Sequence, residues 1–192
     1  MSPEVRRVCW ADGELLPLEV PVVRADDSAF AEGRGCYTSV RIEAGRPRFA
    51  QQHAQRLVHG AGELGLGLLE GATVLRALAE LGKAAFDDGD GIIRLEVSRD
   101  GDGRLHLIGV PRALGPVRSE WSAVLAPFLH AGPGPRAGLK LTNRLRQALA
   151  AEIARDAGAD EALLLDANGW LVEGSRSNLV VVSERGNATT PP

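Results

Sequence analysis

The stretch Ala137-Gly138-Leu139-Lys140-Leu141-Thr142-Asn143-Arg144-Leu145 decides how this chain is read. It sets one lysine between two leucines, where a Gly- and Pro-rich loop over residues 130–138 meets a helical pattern. A lysine in apolar surroundings has a lowered pKa, so more of it is the free amine that attacks a carbonyl to form a Schiff base. Arginine cannot replace it there, because the guanidinium stays protonated. The competing reading is a lysine that snorkels out of an apolar stretch. Composition adds weight to the first. Lys plus Arg total 22, and only Lys83 and Lys140 are lysines. A genome rich in G and C favours Arg codons, so lysine is kept where arginine cannot serve. Lys83 fits the plainer account, on a polar helix face near Asp87.

Downstream of Lys140 the pattern predicts a helix over residues 143–157. Leu145, Ala148, Leu149 and Ile153 form its expected apolar face, and Gly158 its C-cap. Residues 161–165 and 170–172 flank Asn168-Gly169 as a hairpin, and 178–182 read as a last apolar strand. Upstream, 121–126 read as a strand and the turn-rich stretch 111–120 as a linker. Strands at 92–98 and 104–110 enclose Asp100-Gly101-Asp102-Gly103. Two helices precede them, 51–64 with Leu57, Ala61 and Leu64 on one face, and 74–86 with Leu75, Leu78 and Leu81. Residues 36–43 are rich in β-branched and aromatic types and read as a strand turning at Ala44-Gly45 into 46–49. Residues 5–10 and 14–16 form a hairpin about Asp12-Gly13, and Asp26-Asp27-Ser28 is turn chemistry.

Composition limits the function classes. The chain has 192 residues, a net charge of −3 and 44% hydrophobic residues. At this length roughly 70% of the unfolded surface can be buried without staples. Cys9 and Cys36 do not make a disulfide framework, and His53, His59, His106 and His130 lack metal-ligand spacing. No apolar run approaches a membrane span, and the first residues lack a signal-peptide core, so a cytoplasmic location is expected. The mild acidity and the lack of a basic stripe argue against nucleic acid as a partner. Gly60-Ala61-Gly62-Glu63-Leu64-Gly65 matches a dinucleotide fingerprint but ends a helical pattern, where that mechanism does not operate. The Asp100–Gly103 stretch lacks the later ligands of a calcium loop, and no Ser lies in GxSxG.

Two further residues carry candidate chemistry. Glu173 ends a strand before Gly174-Ser175-Arg176-Ser177-Asn178. A carboxylate there could keep the ring nitrogen of pyridoxal phosphate (PLP) protonated, and its plainer reading is a solvated strand-end Glu. Arg56, in Gln52-His53-Ala54-Gln55-Arg56-Leu57, could clamp a phosphate, or be one more exposed Arg.

Taken in order, these stretches resemble the fold-type IV PLP enzymes: branched-chain and D-amino-acid aminotransferases and aminodeoxychorismate lyases. The resemblance runs from about Trp10 to the last residue. It includes Asp27-Ser28-Ala29-Phe30-Ala31-Glu32-Gly33, Gly35-Cys36-Tyr37-Thr38-Ser39-Val40-Arg41, the helix with His53 and Arg56-Leu57, and Ile93-Arg94-Leu95-Glu96-Val97-Ser98-Arg99. It continues through Gly138-Leu139-Lys140 with Asn143-Arg144-Leu145, Ala159-Asp160-Glu161-Ala162-Leu163-Leu164-Leu165-Asp166, Glu173-Gly174-Ser175 with Ser177-Asn178, and Thr190-Pro191-Pro192.

The resemblance implies a two-domain α and β architecture. An N-terminal domain would cover 1–115, and a partial C-terminal domain, 116–192, would carry Lys140 and Glu173. PLP would lie in the cleft between them. Lys140 would be the Schiff-base lysine and general acid/base, Arg56 the phosphate ligand and Glu173 the partner of the pyridine nitrogen. Asn143 and Asn178 would support the site. Family members continue beyond the position of Pro192 with a loop and helix N-terminus that hold the phosphate, so the C-terminal domain is expected to be incomplete. A homodimer acting on a small molecule is expected.

Leu139-Lys140 with Asn143-Arg144-Leu145, and Gly35 to Arg41, resemble the lyase branch. It implies conversion of 4-amino-4-deoxychorismate to 4-aminobenzoate and pyruvate in folate biosynthesis, with Thr38 and Arg144 near the substrate. Lyases often carry His after the lysine, where this chain has Leu141, and Glu173-Gly174-Ser175 resembles the D-amino-acid aminotransferases. A class IV aminotransferase of D-amino or branched-chain amino acids is therefore the alternative. A reading of another class is a shortened non-catalytic relative that acts as a binding protein.

Overall fold

A computed structural model describes residues 5–115, 118–130 and 138–191. Positions 131–137 of the Gly- and Pro-rich loop and 116–117 of the expected linker lie outside the described residues. In chain order the elements are β1 (Val8–Ala11), β2 (Glu14–Pro17), α1 (Ser28–Glu32), β3 (Cys36–Glu43), β4 (Arg46–Pro47), α2 (Ala50–Glu63), α3 (Gly71–Phe86), β5 (Gly91–Arg99), β6 (Leu105–Arg112), β7 (Ala123–Leu125), α4 (Leu145–Asp156), β8 (Glu161–Leu165), β9 (Leu171–Gly174), β10 (Val181–Val182) and β11 (Ala188–Thr189). They fall into two compact units: Met1–Gly115 with Gly138–Asn143, and Pro116–Ala137 with Arg144–Pro192. No helix among the described residues is long and apolar enough to cross a membrane.

The first unit is built on an antiparallel sheet in the order β2-β1-β6-β5-β3-β4. Strand side chains alternate between faces, so Val40, Ile42, Ile93, Leu95 and Val97 share one side. Helices α2 and α3 cover that side with Ala54, Leu57 and Ala61, and with Val74, Ala77, Leu78, Leu81 and Ala85. These follow the i, i+3, i+4, i+7 spacing of one helix face. Each fully buried aliphatic side chain contributes about 1.5–3 kcal/mol. Trp10 joins the same core and donates its indole N–H to Glu80 at 2.9 Å.

Two local devices set the strand starts. Asp27 caps α1 by accepting from the N–H groups of Ala29 and Phe30 at 2.8 and 3.2 Å, so the Asp-Asp-Ser stretch opens a helix. Its second oxygen accepts from the Ser98 hydroxyl at 2.6 Å and so pins α1 to β5. The turn after β3 places Ala44 and Gly45 at φ 47° and 70°, both left-handed, as a two-residue hairpin requires. A Cβ on Gly45 would stand 1.9 Å from the Asp87 carbonyl oxygen, so this position admits only glycine.

The second unit holds a three-stranded sheet in the order β7-β8-β9. Strand β7 runs parallel to β8, and β8 and β9 form the hairpin about Asn168-Gly169. Helix α4 packs on it, but not through the expected face. Leu145, Ala148 and Leu149 are exposed, and Ala150 and Ala154 are buried against Val124, Phe128, Ala162 and Leu164. Two alanines a turn apart let the helix lie close to the strands, and close packing outweighs side-chain size. Val181 and Val182 pair with Ala188 and Thr189, and all four are exposed.

Candidate active site

The segment carrying Lys140 belongs to the first unit. Its backbone continues the sheet along the edge of β3 opposite β5: Tyr37 N–H donates to the Lys140 carbonyl at 2.8 Å, and Thr142 N–H to the Gly35 carbonyl at 2.9 Å. The sequence assigned Lys140 to the second part of the chain; these bonds place it with the first. The Thr142 hydroxyl donates to the Gly33 carbonyl at 3.1 Å, and a Cβ on Gly33 would lie 3.2 Å from Cβ of Asn143. In this extended run the side chains alternate. Leu139 and Leu141 pack against the core and Lys140 is exposed. The leucines therefore anchor the lysine from either side and do not enclose it. Its Nζ lies 6.0 Å from the centre of the Tyr37 ring, which also carries the Arg94 guanidinium at 3.8 Å. Arg94 in turn pairs with Glu96.

Thr38 points to the other side of β3. It is fully buried, and its hydroxyl lies 2.7 Å from Nδ1 of His53 on α2. The resemblance puts Thr38 near the substrate, and within the first unit it links β3 to α2 through His53. Burial, and then the charge of Arg56, hold His53 below its ordinary pKa, so the ring is neutral at pH 7. Arg56 is one turn along α2, exposed, and makes no hydrogen bond or ion pair among the described residues. Its fork is available to an anion.

The second unit positions the other candidates. Glu173, in β9, accepts from the Gln147 amide at 3.0 Å, and its same oxygen lies 3.5 Å from Nε2 of His130. Arg144, just before α4, donates to the Ser175 carbonyl at 3.0 Å. Asn178 is exposed and makes no hydrogen bond among the described residues. Sequence reasoning passed over Gln147, His130, Tyr37, Arg94 and Glu161. Gln147 had one local signal, a position four residues after Asn143 on the same helical run; the others meet their partners only through the fold. Among the described residues no group of three or more His, Cys, Asp or Glu could hold a metal ion.

A family model described as amino-transferase class IV matches residues 35–192. A bifunctional aminodeoxychorismate lyase / D-amino acid transaminase of Mycobacterium tuberculosis is 28% identical over 92% of this chain, which spans 66% of that relative's length. Among solved structures, the 4-amino-4-deoxychorismate lyase of Pseudomonas aeruginosa is 27% identical, with a TM-score of 0.76 over 92% of this chain and 67% of its own. A hypothetical aminotransferase of Mycobacterium tuberculosis, bound to α-ketoglutarate and PMP, gives a TM-score of 0.83 at 25% identity, covering 96% of this chain and 71% of that one.

Proposed function

The chain belongs to the class IV aminotransferase family, and from that premise we propose that it is a PLP-dependent lyase releasing 4-aminobenzoate and pyruvate from 4-amino-4-deoxychorismate. The donor chemistry suits the cofactor. Lys140 supplies an exposed primary amine, Arg56 an unengaged guanidinium for a phosphate, and Glu173 a carboxylate with Oε2 unbonded among the described residues. PLP, when bound, supplies an electron sink for the carbon that bears the substrate amine.

The chain's own groups do the rest. Arg56 would hold the phosphate, and Glu173 Oε2 would accept the pyridinium N–H. Lys140 Nζ takes the proton from the amine-bearing carbon and delivers it to the departing enolpyruvyl group, leaving an aromatic ring and pyruvate. Backbone bonds to Gly35 and Tyr37 hold the lysine's segment in place for this transfer, and Asn143 lies against Gly33. Arg144 offers its guanidinium to a substrate carboxylate, and Asn178 lies downstream on the loop that begins at Glu173.

The observation that carries this reading is the anchored, outward-facing Lys140 within the Gly138-to-Leu145 stretch that resembles the lyase branch. A second reading is transamination of D-amino or branched-chain amino acids; the bifunctional relative, named both a lyase and a D-amino acid transaminase, supports its D-amino acid form. The test measures 4-aminobenzoate release beside transamination of D- and L-amino acids. Lyase activity is expected, and transamination alone would refute it. Borohydride reduction of the PLP-treated chain is expected to fix pyridoxal on Lys140, and Lys140→Arg to abolish both fixation and turnover.

A further inference from the structure

Among the described residues of the second unit, the most heavily bonded side chain is one the proposed chemistry does not use. Glu161 opens β8 and is 5% exposed. Its Oε1 accepts from the N–H of Ala162 at 2.9 Å, the N–H of Ser175 at 3.0 Å and the Ser175 hydroxyl. Its Oε2 accepts from the Ser177 hydroxyl at 2.8 Å and the N–H of Arg176 at 3.3 Å. No cation pairs with it among the described residues. Burial alone would raise its pKa, but the serine hydroxyls and the N–H groups of Ala162 and Arg176 outweigh burial and lower it. The carboxylate is therefore ionised at neutral pH, and the loop after Glu173 wraps around its charge.

The wrapping is close. A Cβ on Gly174 would stand 2.3 Å from the Ser177 hydroxyl and 2.9 Å from Glu161 Oε2. The same loop makes two onward links. It begins at Glu173, and its Ser175 carbonyl takes the Arg144 guanidinium. We infer that Glu161 is a positioning residue: one buried carboxylate fixes residues 174–177 and, through them, the seats of both Glu173 and Arg144. This rests on the PLP reading above, because only then do Glu173 and Arg144 need a common support. A buried, satisfied charge is costly to replace, since backbone N–H groups cannot turn away when the acceptor is lost.

The experiment compares the full chain with Glu161→Gln and with Leu164→Ala, a fully buried core change in the same unit. Gln keeps the shape but can accept on only one side, so the Arg176 or the Ser175 N–H loses its partner. Three quantities are read: amide hydrogen exchange of residues 174–177 without PLP, the Kd for PLP, and the pH at which the visible band of bound PLP changes. Glu161→Gln is expected to speed exchange in the loop, weaken PLP about tenfold, as loss of a charged hydrogen bond implies, and move the band's transition pH. Leu164→Ala is expected to lower the melting temperature and leave that transition pH in place. PLP uptake and band titration by Glu161→Gln equal to the parent's would overturn the inference alone. An identical shift in Leu164→Ala would also overturn it, by reducing Glu161 to a folding role. A parent chain that takes up no PLP would overturn the functional reading and this inference together.

Discussion

Replacing His106 with alanine should remove a stabilisation that exists only on the acid side of the titration. The ring bridges two carboxylates: Nδ1 lies 2.5 Å from Asp12 Oδ2 and Nε2 lies 3.2 Å from Asp100 Oδ2. Burial works against the charged ring, and the hydrogen bonds it donates to Asp12 and Asp100 outweigh it, so the pKa is raised above the ordinary 6.5. A group with a raised folded-state pKa gives its full stabilisation below the unfolded value and loses it as pH rises through the folded one. The contribution is therefore complete at pH 6 and fades at higher pH. Hydrogen bonds to charged groups are worth about 1.5–3 kcal/mol each. The ring is 12% exposed and Asp12 26%, so the low end applies to each bond. His106→Ala should cost about 3 kcal/mol at pH 6 and clearly less at pH 9.5.

Both aspartates keep their backbone bonds, to the N–H of Leu107 and of Arg104 at 2.8 Å, so the turns survive the change. The three tryptophans supply the assay. Trp10 is fully buried in the first unit, whereas Trp121 and Trp170 are 56% and 73% exposed. The blue-shifted part of the emission therefore follows the unit that contains His106. Urea titrations of parent and variant at the two pH values give the two differences. A mutational cost that is the same at pH 6 and pH 9.5 would refute the reasoning.

Thr38→Val removes the buried hydroxyl bonded to half-buried His53 and leaves Nδ1 without its partner, costing about 1 kcal/mol in the same titration; a neutral result would show that the pair contributes nothing. Cys9 and Cys36 are both buried, and burial pushes the Cys36 thiol up to about 11, so a disulfide dye at pH 8 should label neither until urea is added. Rapid labelling of the native chain would contradict this. Leu164→Ala opens a cavity in the small core of the second unit and should cost about 2–5 kcal/mol, seen by circular dichroism as earlier loss of that unit.

Much of the first unit is legible in the sequence because its signals are strong and agree. Residues 36–43 read as a strand and are β3 to the residue, and the two apolar helical patterns are α2 and α3 within a turn. Signals weaken where small residues do the packing. Helix α4 reads by its leucines and packs by Ala150 and Ala154, because a periodic pattern records size and not closeness. The candidate site divides the same way. Lys140, Arg56 and Glu173 stand out by residue type and flanks. Glu161 and Gln147 do not, since a carboxylate starting a strand looks solvated until the loop that surrounds it is in place. The apolar neighbours of Lys140 form an alternation that turns the lysine outward, and do not enclose it.

Gly138–Asn143 is structurally part of the first unit while its flanks on both sides belong to the second. The backbone thus passes from one unit to the other three times, after residues 115, 137 and 143. What is inherited as one half of the gene is not what folds as one half of the protein. A recombination point near residue 115 would hand Lys140 to a new host whose β3 edge had never been matched to it. Chimeras joined there would import the amine without the strand that holds it, so shuffling among relatives should succeed only where Gly35 to Tyr37 and Lys140 to Thr142 travel from the same parent.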